Sequence, residues 1–454
     1  MSYETLHAHG CEAISTPNLD TLAESGVSFM NAYNMGGWNG AICVASRTMM
    51  QTGRFIWRAY QVDDRESLAG LAAEGKTWPQ LMKTAGYETY YSGKWHVKIP
   101  SAKIYDHSVH ERPGMPNQTD EGYQRPVEGE QDKWSPYERS FEGFWKGGKH
   151  WSEVLADDAD AFLDLTAKSE KPFFMMLAFN APHDPRQSPK RFVDMYPQQE
   201  MEVPVNYMRS YPFKHEMGAY GKQRPDGTWA MQRDENLAPH PRTEYSVRIN
   251  RSEYFAIISH MDEQIGRILA KLEATGQKDN TYIFFTADHG LACGNHGLLG
   301  KQNMYEHSIK VPFLVAGPDI PKGEHRDAMI HLQDVMATSL DLAGVAKPDY
   351  VEFSSLLPLI KDSKREGHLG NQLYTAFEMD LQRMMRVGDY KLIVYPQAYS
   401  VLLYNVADDP HEMVNLAGDP SQWPRIKEMF AQLVKRQAEM EDALDLRPYF
   451  PQFL

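Results

Sequence analysis

No apolar run in the 454-residue chain approaches the ~20 residues that a membrane-spanning helix needs, so no membrane association is expected. Cysteine is scarce. Cys11, Cys43 and Cys293 are the full complement, which excludes a scaffold built on disulfides. Positive charge is in deficit: 47 Lys and Arg against 61 Asp and Glu leave a formal charge of -14. That balance argues against a general nucleic-acid binder. It leaves room for an anionic ligand, because a local cluster of Lys, Arg and His can invert the field inside a cleft. The start, Met1-Ser2-Tyr3-Glu4, lacks the basic and apolar pattern of a secretory leader. Internal repeats and low-complexity tracts are also lacking. What is present is ordinary globular composition, 42% hydrophobic and 24% charged, in a chain long enough for two or three domains.

One stretch stands out chemically. Ala41-Ile42-Cys43-Val44-Ala45-Ser46-Arg47 follows the glycines 36, 37 and 40 and runs on to Thr52-Gly53-Arg54. A thiol beside a guanidinium has a lowered pKa and is reactive. An isolated Cys-x-x-x-Arg is more often a small buried cysteine beside a surface arginine. A helix over 47–56 would aim its N-terminal dipole at residue 43 and favour an anion there.

The pattern along the chain is that of an α/β protein. Thr16 and Pro17 open a short helix over 19–25 that Gly26 stops, and a strand follows over 27–33. A helix is expected over 78–85. The aromatic- and Thr-rich stretch after Gly86 reads as a strand ending at Gly93-Lys94-Trp95-His96. Residues 100–148 form a loop-rich insert whose Trp134 and Trp145, with Trp151 just beyond, either stack on a sugar or staple the insert to the body. A helix over 154–165 precedes Pro172-Phe173-Phe174-Met175-Met176-Leu177-Ala178-Phe179, a buried central strand that ends at Asn180-Ala181-Pro182-His183. A histidine just past such a strand sits where open α/β sheets place ligands. A second polar insert spans 207–243. A helix with a clean apolar stripe spans 243–274 and packs without chemistry. A strand over 281–286 leads into Asp288-His289-Gly290, and another follows over 311–317. After a helix over 332–343, strands over 374–377, 383–387, 391–395 and 402–405 and an amphipathic helix over 423–444 close the chain.

Two of these stretches carry a resemblance. Cys43-Val44-Ala45-Ser46-Arg47 followed by Thr52-Gly53 resembles the type I sulfatase signature Cys-x-Pro-Ser-Arg…Thr-Gly, with Ala45 in place of proline and Gln51 in place of an apolar residue. Gly86-Tyr87-Glu88-Thr89 through Gly93-Lys94-Trp95-His96 is similar to the family's second signature. Thr16-Pro17-Asn18-Leu19-Asp20, Pro182-His183, Asp288-His289, His296-Gly297 and Lys301 continue the likeness.

The resemblance implies an alkaline-phosphatase-like α/β/α sandwich with a large, mostly parallel central sheet, over residues 1–365. A small antiparallel sheet-and-helix subdomain follows over 366–454. It implies oxidation of Cys43 to formylglycine by a maturation enzyme, one able to accept Ala45, and a Ca2+ ion held by Asp288, His289 and the oxygens at position 43. Arg47 and Lys94 would hold the aldehyde hydrate, and His183 and Lys301 the sulfate oxygens. His183 would act as general acid for the leaving oxygen, and His96 would take the hydrate's proton as sulfate leaves. The implied activity is hydrolysis of a sulfate ester, on a sulfated carbohydrate or on an aryl or alkyl sulfate. A phosphonate or phosphate diester hydrolase of the same superfamily and an inactive binding homologue are the alternatives. In the family, an apolar strand ending in a metal-binding Asp-Asp lies upstream of the point matching Met1. Neither is in this sequence, which leads to the expectation that the natural chain begins further upstream. Any export signal would lie there too, giving a periplasmic or extracellular protein, and a cytoplasmic one otherwise.

Overall fold

A computed structural model describes residues 1–223 and 229–454, with side chains described for 1–219 and 230–454. The insert expected over 207–243 thus falls partly outside the described residues. The principal elements are α1 (Pro17–Glu24), β1 (Gly26–Tyr33), α2 (Ile42–Thr52), α3 (Trp78–Thr84), β2 (Glu88–Lys94), β3 (His107–Arg112), α4 (Trp151–Thr166) and β4 (Phe173–Ala178). They continue with α5 (Glu244–Ala274), β5 (Ile283–Thr286), β6 (Phe313–Ala316), β7 (Glu324–His331) and α6 (Asp334–Leu342). The last part holds β8 (Gln372–Phe377), β9 (Gln382–Val387), β10 (Tyr390–Tyr395), β11 (Ser400–Asn405) and α7 (Trp423–Glu439).

The layers follow from the two-residue period of strands. On β6, Phe313 and Val315 join a core shared with Met49 of α2 and Met336 of α6. The alternate residues Leu314 and Ala316 join a second core with Leu19 of α1 and Phe255 and Ile258 of α5. Helices therefore cover both faces of the strands, the α/β/α arrangement expected. The stripe on α5 packs as its spacing predicts, and the helix starts at a capping box in which Thr243 and Ser246 bond reciprocally.

The sheet itself is in two pieces. β3, β2 and β4 form one sheet in that order, parallel throughout. β7, β1, β6 and β5 form another, in which β1–β7 is parallel while β1–β6 and β6–β5 are antiparallel. Among the described residues no strand joins β4 to β5. Both are half-buried despite their apolar sequences.

The last part of the chain is an antiparallel sheet in the order β11-β10-β9-β8, with α7 beside it. Gly36-Gly37 pairs with Ala376-Phe377 at its edge, which ties the approach to α2 onto this sheet. Trp134, Trp145 and Trp151 are all buried, and each lies under an arginine: Arg125 at 4.8 Å, Arg139 at 5.1 Å and Arg112 at 4.5 Å from the ring centroid. Buried and covered in this way, the rings leave no open face for a sugar; the Trp134 and Trp145 contacts lie within the insert, and the Arg112–Trp151 contact links the insert to α4.

α2 starts five residues before the expected position and ends earlier, at Gly53. The Asn39 side chain accepts from Ala41 N at 2.8 Å and shapes the entry to the helix. Gly53 adopts φ 71° and its amide bonds back to Met49, a left-handed stop that glycine takes without strain. A Cβ there would lie 2.9 Å from Val351 Cγ2. Gly53→Ala is expected to cost about 1–3 kcal/mol. Denaturant titration would measure it, and an unchanged midpoint would contradict the assignment of that stop.

Candidate active site

Cys43 is the second residue of α2 and is buried. The early helix start places it in the first turn, where amide dipoles favour negative charge. Its Sγ lies 2.9 Å from His289 Nε2 and accepts from Lys94 Nζ at 3.1 Å. Lys94 is the last residue of β2, and His289 follows β5 by three positions, so two separate strands deliver their carboxyl-terminal ends to one thiol. Gly93 makes that approach possible. Its φ is 103°, and a Cβ would fall 2.1 Å from the Ala178 carbonyl oxygen on β4.

Asp288 organises the cations. Arg47 Nε donates to its Oδ2 at 2.9 Å, and Lys94 Nζ is 3.2 Å from the same oxygen. Arg47 also donates to the Lys94 carbonyl, and Asn34 Nδ2 to the Asp288 carbonyl at 2.7 Å. Burial alone would raise the Asp288 pKa, and so would Cys43. Lys94, Arg47 and His289 outweigh both and hold the carboxyl well below its usual range. Burial likewise opposes ionisation of Cys43, and Lys94, His289 and Lys301 overcome it, so the thiol pKa is lowered well below the ordinary value. The Met1 ammonium reaches the same place and donates to the His289 carbonyl at 2.7 Å; burial lowers its pKa to about 5.

A second group faces this one. His183 Nε2 is 3.0 Å from Lys301 Nζ, and His183 Nδ1 is 2.6 Å from Asp184 Oδ1. Lys301 pairs with Asp234 at 3.2 Å, and Arg233 with Asp184 at 3.1 Å. Burial and Lys301 push the His183 pKa down, but Asp184 prevails and raises it. Asp184, Asp234 and Arg233 were not singled out from sequence. Asp184 had a signal, its place beside His183. Asp234 and Arg233 lie in the second insert, where sequence gives no such pointer.

The structure thus gathers Cys43, Arg47, Lys94, Asp288 and His289 in one cluster and His183 and Lys301 in a facing one. His96 stands apart from the thiol contacts. It has φ 61° and packs on Gly114, and its Nδ1 is buried without a hydrogen-bond partner.

Two donor groups among the described residues could hold a metal ion: Cys43, Asp288 and His289, and His183, Asp184 and Asp234, each with donor atoms within 4.8 Å of one another. The first is the set named from sequence. Ca2+ takes about 6–8 oxygen ligands. This set offers one carboxylate, one imidazole and one sulfur, and Asp288 is already engaged by Arg47 and Lys94. These residues alone do not fit Ca2+.

A family model described as Sulfatase matches residues 1–345. The chain belongs to the sulfatase family. These enzymes are sulfuric ester hydrolases. A second sulfatase model, described as N-sulphoglucosamine sulphohydrolase, C-terminal, matches residues 294–439. An N-acetylglucosamine-6-O-sulfatase of Bacteroides thetaiotaomicron is 27% identical over 502 residues, covering 97% of this chain and 85% of the relative. An arylsulfatase of Clostridium perfringens is 26% identical over 468 residues, with 96% and 92% covered. A structure solved with its substrate D-glucosamine-2-N,6-O-disulfate shares the fold at TM-score 0.73 and 23% identity, covering 97% of this chain and 96% of that one. A phosphonate monoester hydrolase from Silicibacter pomeroyi also shares the fold at TM-score 0.73, with 18% identity and coverage of 98% and 94%.

The thiol gives a direct check on the electrostatics of this sulfatase site. Lys94→Met removes the donor nearest Sγ, so alkylation of Cys43 in metal-free buffer should shift to higher pH. An unchanged pH profile would show that Lys94 does not set the thiol's ionisation.

Proposed function

We propose that this sulfatase acts on a sulfated carbohydrate, with residue 43 as the nucleophilic position after its conversion to formylglycine. The observation that carries the reading is the buried Sγ of Cys43, held by Lys94 Nζ at 3.1 Å and His289 Nε2 at 2.9 Å, opposite the His183–Lys301 pair. The glucosamine-sulfate names of its relatives support a sugar, with a simple aryl or alkyl sulfate as the second choice. Residues 1–365 form the catalytic part in this reading and 366–454 the smaller C-terminal part.

Formylglycine supplies a geminal diol, one hydroxyl to attack sulfur and the other to expel sulfate afterwards. The cluster fits such a group, since an oxygen in place of Sγ meets the same Lys94 and His289. Lys94 and Arg47 hold its negative charge, Arg47 acting through Asp288 and the Lys94 carbonyl. Lys301 and His183 present N–H groups to the sulfate oxygens. With Asp184 on Nδ1, His183 keeps a proton on Nε2 and gives it to the leaving sugar oxygen as the S–O bond breaks. His96 is assigned the proton released when sulfate departs. The family implies a divalent metal; since the donors present do not fit Ca2+, no step is assigned to it.

The experiment is sulfate release from glucosamine 6-sulfate and 4-nitrophenyl sulfate, after co-expression with a formylglycine-generating enzyme. Release should accompany loss of the sulfur from the residue-43 peptide by mass spectrometry, and Cys43→Ala should abolish it. His183→Ala should lower kcat about 10²–10⁴-fold, with the loss smallest for the good leaving group 4-nitrophenol. Hydrolysis of a phosphonate monoester with both sulfates left intact would overturn the reading.

A further inference from the structure

The two inserts meet beside the catalytic cluster. Gln124 N donates to the Asn236 carbonyl at 2.8 Å and Arg125 N to the Leu237 carbonyl at 3.1 Å, so 124–125 runs alongside 236–237. The second insert is also fastened to the loop that carries Lys301. Glu235 accepts from Leu299 N at 3.2 Å and Gly300 N at 2.8 Å, and Asp234 accepts from Gln302 Nε2 at 2.9 Å. Arg233, one residue before this clasp, points its charge at the same site.

Arg233 is held without being used up. Its Nε donates to Tyr123 Oη at 2.5 Å, and its guanidinium carbon lies 5.7 Å from the Tyr123 ring centroid. Its Nη2 is 3.1 Å from Asp184 Oδ2. Its Nη1 makes no hydrogen bond among the described residues. The side chain is 34% exposed, against 5% for Asp184 and 6% for Lys301. Arg242 shows what a purely structural guanidinium looks like here. It is fully buried, and all three of its nitrogens donate, to Glu235 and to the carbonyls of Glu235, Ala238, Pro239 and Gly297. Arg233 instead presents N–H groups to solvent in a direction that Tyr123 and Asp184 fix. A fork held in this way loses little freedom when it binds an anion.

Its position decides which anion. Asp184 is shared: Oδ1 meets His183 Nδ1 at 2.6 Å while Oδ2 meets Arg233, so one carboxylate separates guanidinium from imidazole. The other ring nitrogen of His183 faces Lys301 at 3.0 Å. Arg233 therefore lies across the imidazole from Lys301, away from the sulfate being cut and toward solvent. The body of the leaving sugar must extend that way, because the cluster itself is buried.

We propose that Arg233 is a specificity-determining residue that binds a second anionic group, sulfate or carboxylate, carried by the same carbohydrate as the ester being cut. The inference rests on the reading of this site as a carbohydrate sulfatase and adds that the substrate is polyanionic. The planar fork of arginine matches the paired oxygens of either group and forms charge-assisted hydrogen bonds with them. An uncharged substituent at that place would gain nothing from it.

Calorimetric titration of the Cys43→Ser chain tests this. The ligands are N-acetylglucosamine 6-sulfate, its 3,6- and 4,6-disulfates, and a disaccharide linking it to glucuronic acid, with the methyl ester of that disaccharide as control. At least one doubly anionic ligand should bind about tenfold more tightly than its singly anionic counterpart. Arg233→Gln should bring that ratio close to one, and Arg233→Lys, which keeps the charge without the fork, should retain part of it. The ratio is the readout because a general loss from an unneutralised Asp184 weakens both ligands alike and cancels. Tyr123→Phe releases Nε and should also lower the ratio, which keeps the test open if Arg233→Gln does not fold. Gain from a disulfate identifies a second sulfate as the group bound, and gain of the free acid over its ester identifies a carboxylate. A ratio near one in the unsubstituted residue-233 chain, or an advantage that survives Arg233→Gln, would overturn the proposal. If the monosulfated sugar binds and a second anion adds nothing, this inference fails alone; if no sulfated sugar binds, it falls together with the carbohydrate reading.

Discussion

The buried carboxylate of Asp288 is the constraint on which the catalytic end of the molecule depends. One oxygen of this group takes both Arg47 and Lys94, and those two come from different elements, the helix behind Cys43 and the strand beside it. Removing one partner of a buried pair leaves the other charge uncompensated, typically at a cost of about 3–5 kcal/mol. Asp288 therefore holds a cation against the thiol that the thiol alone could not keep. The helix α2 and the strand β2 meet there because each brings one charge to the same carboxylate. The facing group is built on the same plan, with Asp184 and Asp234 holding His183 and Lys301.

Much of this was legible from residues alone. The stripe on the helix at 244–274 announced its burial, and Asn180-Ala181-Pro182-His183 at a strand end pointed to a site, although the apolar run at 173–178 read as buried and is half-buried. The cysteine was legible only in company, since Cys43 and Arg47 gain meaning from Gly93-Lys94 fifty residues later. Other features were out of reach. The start of α2 depends on an Asn39 side chain and on Gly36-Gly37 pairing with a strand over three hundred residues away, and no local pattern encodes that. Asp234 sits in a polar insert where acids are common, and only the fold brings it to Lys301. The tryptophans at 134, 145 and 151 could read as sugar platforms or as staples, and their burial under arginines decides against platforms. The division of the sheet could not be read from β4 or β5, whose sequences look like those of interior strands.

The two sheets and the cationic cluster are one problem in mechanics. A reaction at sulfur needs its charged groups placed to within a fraction of an ångström. Lys94 rides on the three-stranded sheet and His289 on the other. Both meet the Sγ of Cys43, at 3.1 Å and 2.9 Å, so the two sheets converge on one atom at the catalytic end. The donor set tells the same story, because Cys43, Asp288 and His289 are too few for the hard cation that the family implies.

The account's central claim is that the groups around residue 43 form a receptor for a sulfate ester. Calorimetric titration of the Cys43→Ser chain, which binds without turning over, tests it most directly. Glucosamine 6-sulfate should bind saturably, glucosamine should not, and Lys301→Ala should remove the difference. Equal affinity for the sulfated and unsulfated sugars would contradict it.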